Sequence, residues 1–192
     1  MKYRCNTSSS TAGFSLLEML AIAVIIGILA AIAAPGWVSF MNQRRAASGS
    51  DQLAQLFRKT QNDAQRLRRS RGIKFVPAAS SSTGVPEIIV GTLTDSNSDG
   101  TLDDVVGEAF LLGEGQFSAR TVELAAFDNN DNPVDFLVFE ADGSLSLDPA
   151  ATPQPITLRV SSPASGSSPA KRCIMVETLL GAISSGAGSE CD

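Results

Sequence analysis

Gly13-Phe14-Ser15-Leu16-Leu17-Glu18-Met19-Leu20 opens an apolar stretch that continues unbroken to Ala34. The 21 residues from Phe14 to Ala34 carry one charge, on Glu18, and no other strongly polar side chain. A helix rising ~1.5 Å per residue covers ~30 Å over that length, the thickness of a bilayer's hydrocarbon core. The segment can therefore span a membrane as a single helix. Glu18 is the anomaly, four residues inside the apolar edge. A charged side chain at the bilayer centre costs ~2.5–3.5 kcal/mol on insertion scales, and less towards the interface. An acid so placed marks a functional site and calls for a positively charged partner.

Ahead of the apolar stretch stands a short polar leader with Lys2 and Arg4, and Gly13 directly precedes Phe14. This leader, the Gly13-Phe14 junction, Ser-Leu-Leu-Glu and the apolar run together resemble the class III signal of type IV pilins and pseudopilins. The resemblance implies that a prepilin peptidase removes residues 1–13 by cutting after Gly13. It implies that the new amine of Phe14 is N-methylated, and that Glu18 offsets this amine on a neighbouring subunit. Opposite charges attract more strongly in a filament core of low dielectric than in water, and methylation keeps the charge. The implied location is a single pass through the inner membrane with the head in the periplasm, followed by transfer into a filament. Charge alone leaves orientation open, since Lys2 and Arg4 flank one side of the span and Arg44 and Arg45 the other. An ordinary secretory signal is the alternative, with Ala31-Ile32-Ala33-Ala34 as its small-residue cleavage site. The Gly-Phe junction, the glutamate spacing and Pro35 favour the pilin resemblance, whose motif covers about the first 35 residues.

Pro35-Gly36 follows the apolar run directly. Proline lacks a backbone donor and clashes with the carbonyl four residues back, that of Ala31, so a kink or boundary is expected. In pilins, a proline at the matching place lies where the helix bends or melts during filament packing. Beyond Trp37, Leu53, Leu56, Phe57, Thr60, Ala64 and Leu67 recur at helix-neighbour spacing. We expect one helix from about Leu16 to Ser70, its apolar first part at 14–34 and an amphipathic, arginine-rich second part at 35–72, with Gly72 as its C-terminal cap.

The 192-residue chain is long enough for one modest domain beyond this helix. Its formal charge is −5, unevenly spread. From Met41 to Lys74 there are nine basic and two acidic residues; from Phe75 onward there are 17 acidic and four basic ones. Histidine is absent. That removes the usual general base, most zinc sites and the histidine-activated nucleophiles. No Gly-rich phosphate loop follows a strand, so an enzyme is not expected. Cys5 lies in the leader and would be lost on processing, leaving Cys173 and Cys191. An even pair near the end of an exported domain points to a disulfide, which chain-entropy models value at ~3 kcal/mol for a loop of this length. Many type IV pilins carry a disulfide loop of this kind; two unpaired thiols are the alternative.

From Ile73 to the C-terminus, residues 73–192, short β-type runs alternate with Gly, Pro, Asn, Asp and Ser. The candidate strands are Ile73–Val76, Glu87–Leu93, Ala109–Leu112, Thr121–Phe127, Val134–Glu140, Ile156–Val160 and Cys173–Thr178. Ala78–Gly84 and Ser161–Ala170 read as loops. The expected class is α+β, a pilin-like long helix packed on an antiparallel head with a C-terminal disulfide loop. The turn Phe139-Glu140-Ala141-Asp142-Gly143, Ile156-Thr157-Leu158 and Arg172-Cys173-Ile174-Met175-Val176 resemble the GspH/FimT-like branch of minor pilins and pseudopilins. DNA-binding members of that branch use a basic C-terminal segment, whereas this chain ends Gly188-Ser189-Glu190-Cys191-Asp192, with no arginine after Arg172.

Two further patterns bear on function. Arg58, Lys59, Arg66, Arg68, Arg69 and Arg71 could attract nucleic-acid phosphates. Phe57 is the single aromatic between Met41 and Lys74, however, and it belongs to the apolar stripe. A solvated face, or one that meets acidic heads of neighbouring subunits, is the favoured reading. Asp95-Ser96-Asn97-Ser98-Asp99-Gly100-Thr101-Leu102-Asp103 resembles an EF-hand-type calcium loop, with Asp95, Asn97, Asp99, Asp103 and the Thr101 carbonyl as oxygen ligands and Gly100 at the sharp turn. The usual glutamate at position 12 is Val106, and Glu108 compensates only if the loop takes a different path. The alternative is an Asp/Asn/Gly turn between strands. No cofactor is required, and calcium here would be structural. The expected role is that of a structural subunit of a type IV pilus or type II secretion pseudopilus, with other subunits, the peptidase and the inner membrane as partners. A tip subunit that binds DNA or a surface is the alternative.

Overall fold

The computed structural model describes residues 14–95, 104–113, 115–146, 155–162, 169–178 and 180–191. Helix α1 runs from Leu16 to Leu67 and includes Pro35. The chain divides into two compact units, Met1–Val38 and Ser39–Asp192.

In the first unit, Ser15 caps the helix. The Glu18 N–H lies 3.1 Å from the Ser15 carbonyl and 3.2 Å from its Oγ, and the Met19 N–H donates to the same carbonyl. Ser15 and Glu18 thus stand at the two ends of a capping-box sequence, the acid in the first turn where the helix dipole favours it. Every described side chain from Phe14 to Ala34 is exposed. The helix is long and apolar enough to cross a membrane by length and composition.

In the second unit, α1 buries Ala46, Leu53, Leu56, Phe57, Thr60 and Ala64, which fall on one face at helical period. Leu67, expected on this stripe, is 43% exposed. Phe57 sits at the centre, stacked with Phe75 (ring centroids 6.5 Å apart) and edge-on to Phe139 at 5.6 Å. Small residues let the helix approach closely: a Cβ on Gly49 would lie 3.0 Å from Val160 Cγ1 and 3.2 Å from Leu112 Cδ2.

The strands are β1 (Arg71–Val76), β2 (Glu87–Thr94), β3 (Asp104–Leu111), β4 (Glu123–Phe127), β5 (Phe136–Phe139), β6 (Leu145–Ser146), β7 (Ile156–Ser162), β8 (Ala170–Val176) and β9 (Ile183–Ala187). They form two antiparallel sheets, in the orders β3-β2-β1-β5-β6 and β4-β7-β8-β9. Both sheets contribute to a single hydrophobic core with α1: Ile73, Ile88 and Leu137 from the first, Leu124, Leu158 and Ile174 from the second. The fold is α+β, as the sequence indicates. All seven expected strands form. β3 begins at Asp104 rather than Ala109, and β6 and β9 are additional.

The helix ends earlier than expected, and its cap is a different residue. Arg68 adopts φ 51°, the left-handed conformation, with Arg68 N–H bonded to the Gln65 carbonyl and Arg69 N–H to that of Ala64. This is a Schellman ending. Gly72 instead lies inside β1, opposite Gly91 and Val138, where an added Cβ would overlap Val105. Arginine is strained at the left-handed position by ~1 kcal/mol and glycine is not. Arg68→Gly is therefore expected to stabilise the head by about 1 kcal/mol in a denaturant titration; a destabilisation of that size would contradict the cap.

Candidate functional site

The structure places the N-terminal candidates unequally. Gly13 lies outside the described residues. Phe14 is 71% exposed, and Glu18 is exposed one helical turn away. Among the described residues the Glu18 carboxylate has no hydrogen-bond or ion-pair partner. It stands instead in a field of apolar side chains, since Leu16, Leu17, Met19 and Leu20 are each more than half exposed. An unpaired carboxylate on such a surface gains most from a cation brought in by another molecule.

Cys173 in β8 and Cys191, in the 3-10 helix Gly188–Cys191, form the expected disulfide, and both are fully buried. The bond staples the C-terminus to the outer face of the second sheet. Arg159 in β7 supports it: its Nε donates to the Cys191 carbonyl at 2.7 Å, and its guanidinium stacks over Phe127 at 5.2 Å.

Of the calcium candidates, Asp95 is described; Asn97, Asp99, Thr101 and Asp103 lie outside the described residues. The flanking ladder limits what can join them. β2 and β3 pair in register up to Thr94 with Asp104. Val106 faces Thr92 and Glu108 faces Val90 in this ladder. Glu108 stands four residues into β3 from its first residue, Asp104, ~13 Å along the strand. Asp104 is already engaged, accepting from Lys74 Nζ at 2.6 Å and from the Val105 N–H at 2.7 Å. With Val106 in place of the usual bidentate glutamate, calcium binding by these residues is expected to be weak. Millimolar calcium is expected to raise the melting temperature of the chain; no shift at that concentration would reject the site.

The Lys74 hydrogen bond, with the Val105 N–H, holds the Asp104 carboxyl below its ordinary range. A folded-state pKa lowered in this way stabilises the fold above the unfolded pKa of ~3.9, and the contribution is lost as pH falls through the folded value. Both side chains are about one-third exposed, so the pair is worth under ~1 kcal/mol. Lys74→Met is expected to flatten the loss of stability below pH ~4, read by denaturation across pH 2–6. An unchanged acid limb would remove the pair from the account.

Arg58, Lys59, Arg66, Arg68 and Arg69 are exposed, as a solvated face requires. Lys59 Nζ lies 5.2 Å from the Phe110 ring centroid, and Arg66 stands 3.9 Å from Asp63. Three glutamines matter more to the helix's seating, and the sequence does not single them out. Gln61 Nε2 donates to the carbonyls of Gly143 (2.9 Å) and Leu180 (2.8 Å), and Gln65 Nε2 to that of Asp142 (3.1 Å). Gln52 donates to the Leu111 carbonyl and accepts from the Gly113 N–H. These bonds tie three head turns to α1. Gly143 and Gly181 both have positive φ, and a Cβ at either would collide with the glutamine beneath it.

No protein-family model matches the chain, and no curated protein does. Among solved structures it is similar to the type IV minor pilin FimU of Pseudomonas aeruginosa strain PAO1, with TM-score 0.50 and 17% identity over 80% of this chain and 99% of that one. A second crystal form of FimU gives TM-score 0.46 and 16% identity over 76% of this chain and 99% of that one. At this identity the first likeness shows the fold: this chain folds as a type IV minor pilin does.

Proposed function

We infer that the chain is a structural subunit, a minor pilin or pseudopilin, of a type IV pilus or a type II secretion pseudopilus. The observation that carries this reading is the exposed apolar helix with one carboxylate, Glu18, that has no partner among the described residues and lies four residues after Phe14. The pilin fold supports it. In this reading a prepilin peptidase cuts between Gly13 and Phe14, the Phe14 amine is methylated, and the helix holds the protein in the inner membrane with its head in the periplasm. Assembly then moves the helix from lipid into a bundle of related helices. Lipid is as apolar as the bundle, so packing and polar pairing, rather than the hydrophobic effect, select the register. A Glu18 carboxylate set against the Phe14 ammonium of the next subunit rewards one alignment and penalises the others. The test is a shear preparation from cells that express the chain. The protein is expected in the filament fraction; confinement to the membrane fraction would refute assembly.

A tip subunit that binds DNA or a surface is the second reading, favoured by the exposed cations at the end of α1. It requires salt-dependent binding that is lost when Arg66, Arg68 and Arg69 are replaced together.

A further inference from the structure

Arg44 and Arg45 are the first charged residues after the apolar stretch, and no acid occurs between Glu18 and Asp51. Both belong to α1, and long side chains on a helix lean toward its N-terminus, here toward the apolar stretch. Their contacts follow that lean. The Arg44 guanidinium lies over the Phe40 ring, 5.5 Å from its centroid, and Arg45 Nη1 donates to Asn42 Oδ1 at 3.1 Å.

The two arginines differ in what they leave over. Arg45 is half-buried and bonded to the buried Asn42, whereas Arg44 is exposed, on a ring that is itself 48% exposed. Among the described residues the Arg44 guanidinium makes no ion pair or hydrogen bond. Stacking on a ring occupies one face of the guanidinium and leaves its in-plane N–H donors free. Phe40 stands six residues past Ala34, ~9 Å of helical rise, and the headgroup layer of a bilayer is roughly 5–7 Å thick on each side. The Arg44 donors are thus carried back to the outer edge of that layer.

We propose that Arg44, seated on Phe40, binds the phosphate group of a phospholipid in the leaflet on the head's side of the span. This rests on the reading of Phe14–Ala34 as a membrane span. The planar fork of arginine fits two phosphate oxygens, and the bond is charge-assisted. Position rather than net charge selects the ligand, since headgroup phosphates form a continuous layer at this level. Asp51, two turns further from the span, lines the same polar cleft as Arg44 without pairing with it, and Glu114 lies outside the described residues. Such a bond holds the unassembled subunit at one depth and must break when the helix leaves the bilayer. A carboxylate of a neighbouring subunit is the competing partner, and the experiment tells the two apart.

The full chain, isotope-labelled at the arginine Cζ carbons, is reconstituted into vesicles of equal parts phosphatidylcholine and phosphatidylglycerol in phosphate-free buffer. Solid-state NMR then reads the dephasing of arginine signals by lipid phosphorus. One arginine signal is expected to be dephased, to be lost in Arg44→Gln and to be retained in Arg45→Gln. In phosphorus-free maltoside micelles with millimolar inorganic phosphate, no signal is expected to be dephased. Three results would overturn the proposal in a chain that floats with the vesicles: no dephased arginine, as a carboxylate partner predicts, a dephased signal that survives Arg44→Gln, or dephasing by the free ion in micelles. Each of these leaves the filament-subunit reading standing. A chain that does not float with the vesicles overturns the membrane span, and both readings with it.

Discussion

Phe57→Ala is expected to destabilise the head by about 3–5 kcal/mol. Phe57 is 2% exposed and joins α1 to both β1 and β5 through its contacts with Phe75 and Phe139. Truncation removes the transfer free energy of the ring and leaves a cavity between the helix and the first sheet, where neither neighbour can collapse without breaking its ladder. Domains of this size are stable by ~5–15 kcal/mol, so the loss takes a large share of the whole. Denaturant unfolding of the full chain in detergent, followed by far-UV circular dichroism, measures it. Phe57→Leu, which retains most of the volume, is expected to cost less than half as much. A loss under about 1 kcal/mol for Phe57→Ala would show that the helix is not seated on this ring.

Glu18→Ala is expected to abolish incorporation into the sheared filament fraction while leaving the head folded. Leaving one member of a buried ion pair alone costs ~3–5 kcal/mol, which is roughly two to four powers of ten in an association equilibrium. Glu18 has a competing local role, however. It occupies the third helical position after the Ser15 cap, where a glutamate or glutamine favours helix initiation. Glu18→Gln separates the two, because glutamine still suits the capping box but carries no charge. If pairing governs assembly, both variants fail. If Glu18→Gln assembles normally, Glu18 serves its own helix and the pairing is wrong.

The parts of the fold that were legible in the sequence are those where burial imposes a period. The helix from Leu16 announced itself by unbroken apolar sequence and then by the stripe through Phe57, and Ile73, Ile88 and Ile156 begin or centre strands with one buried face. The first half of β3 is hard to read from sequence because it is an edge strand: Val106, Gly107 and Glu108 are exposed and leave no alternation. β9 is Ile-Ser-Ser-Gly-Ala, which reads as a loop and is a strand only because it pairs with β8. Glycine is the usual left-handed cap, so the sequence points to Gly72, whereas Gly72 serves a close approach to Val105 and the chain sets Arg68 in the strained position.

The candidate sites were legible in similar proportion. Two cysteines near the end of the head point to a disulfide, and the structure joins Cys173 to Cys191. The anchoring glutamines were invisible, since Gln52, Gln61 and Gln65 sit among arginines beside the apolar stripe and look like solvated helix surface. Only the turns that fold back from residues 111, 143 and 180 give them partners.

Assembly as proposed requires an N-terminal helix that is kept, freed of its leader, and built into a fibre. Mass spectrometry of the N-terminal peptide of the protein recovered from sheared filaments tests this directly. The predicted peptide begins at Phe14 and carries one methyl group on its amine. A peptide that begins at Met1, or downstream of Ala34, would contradict the account.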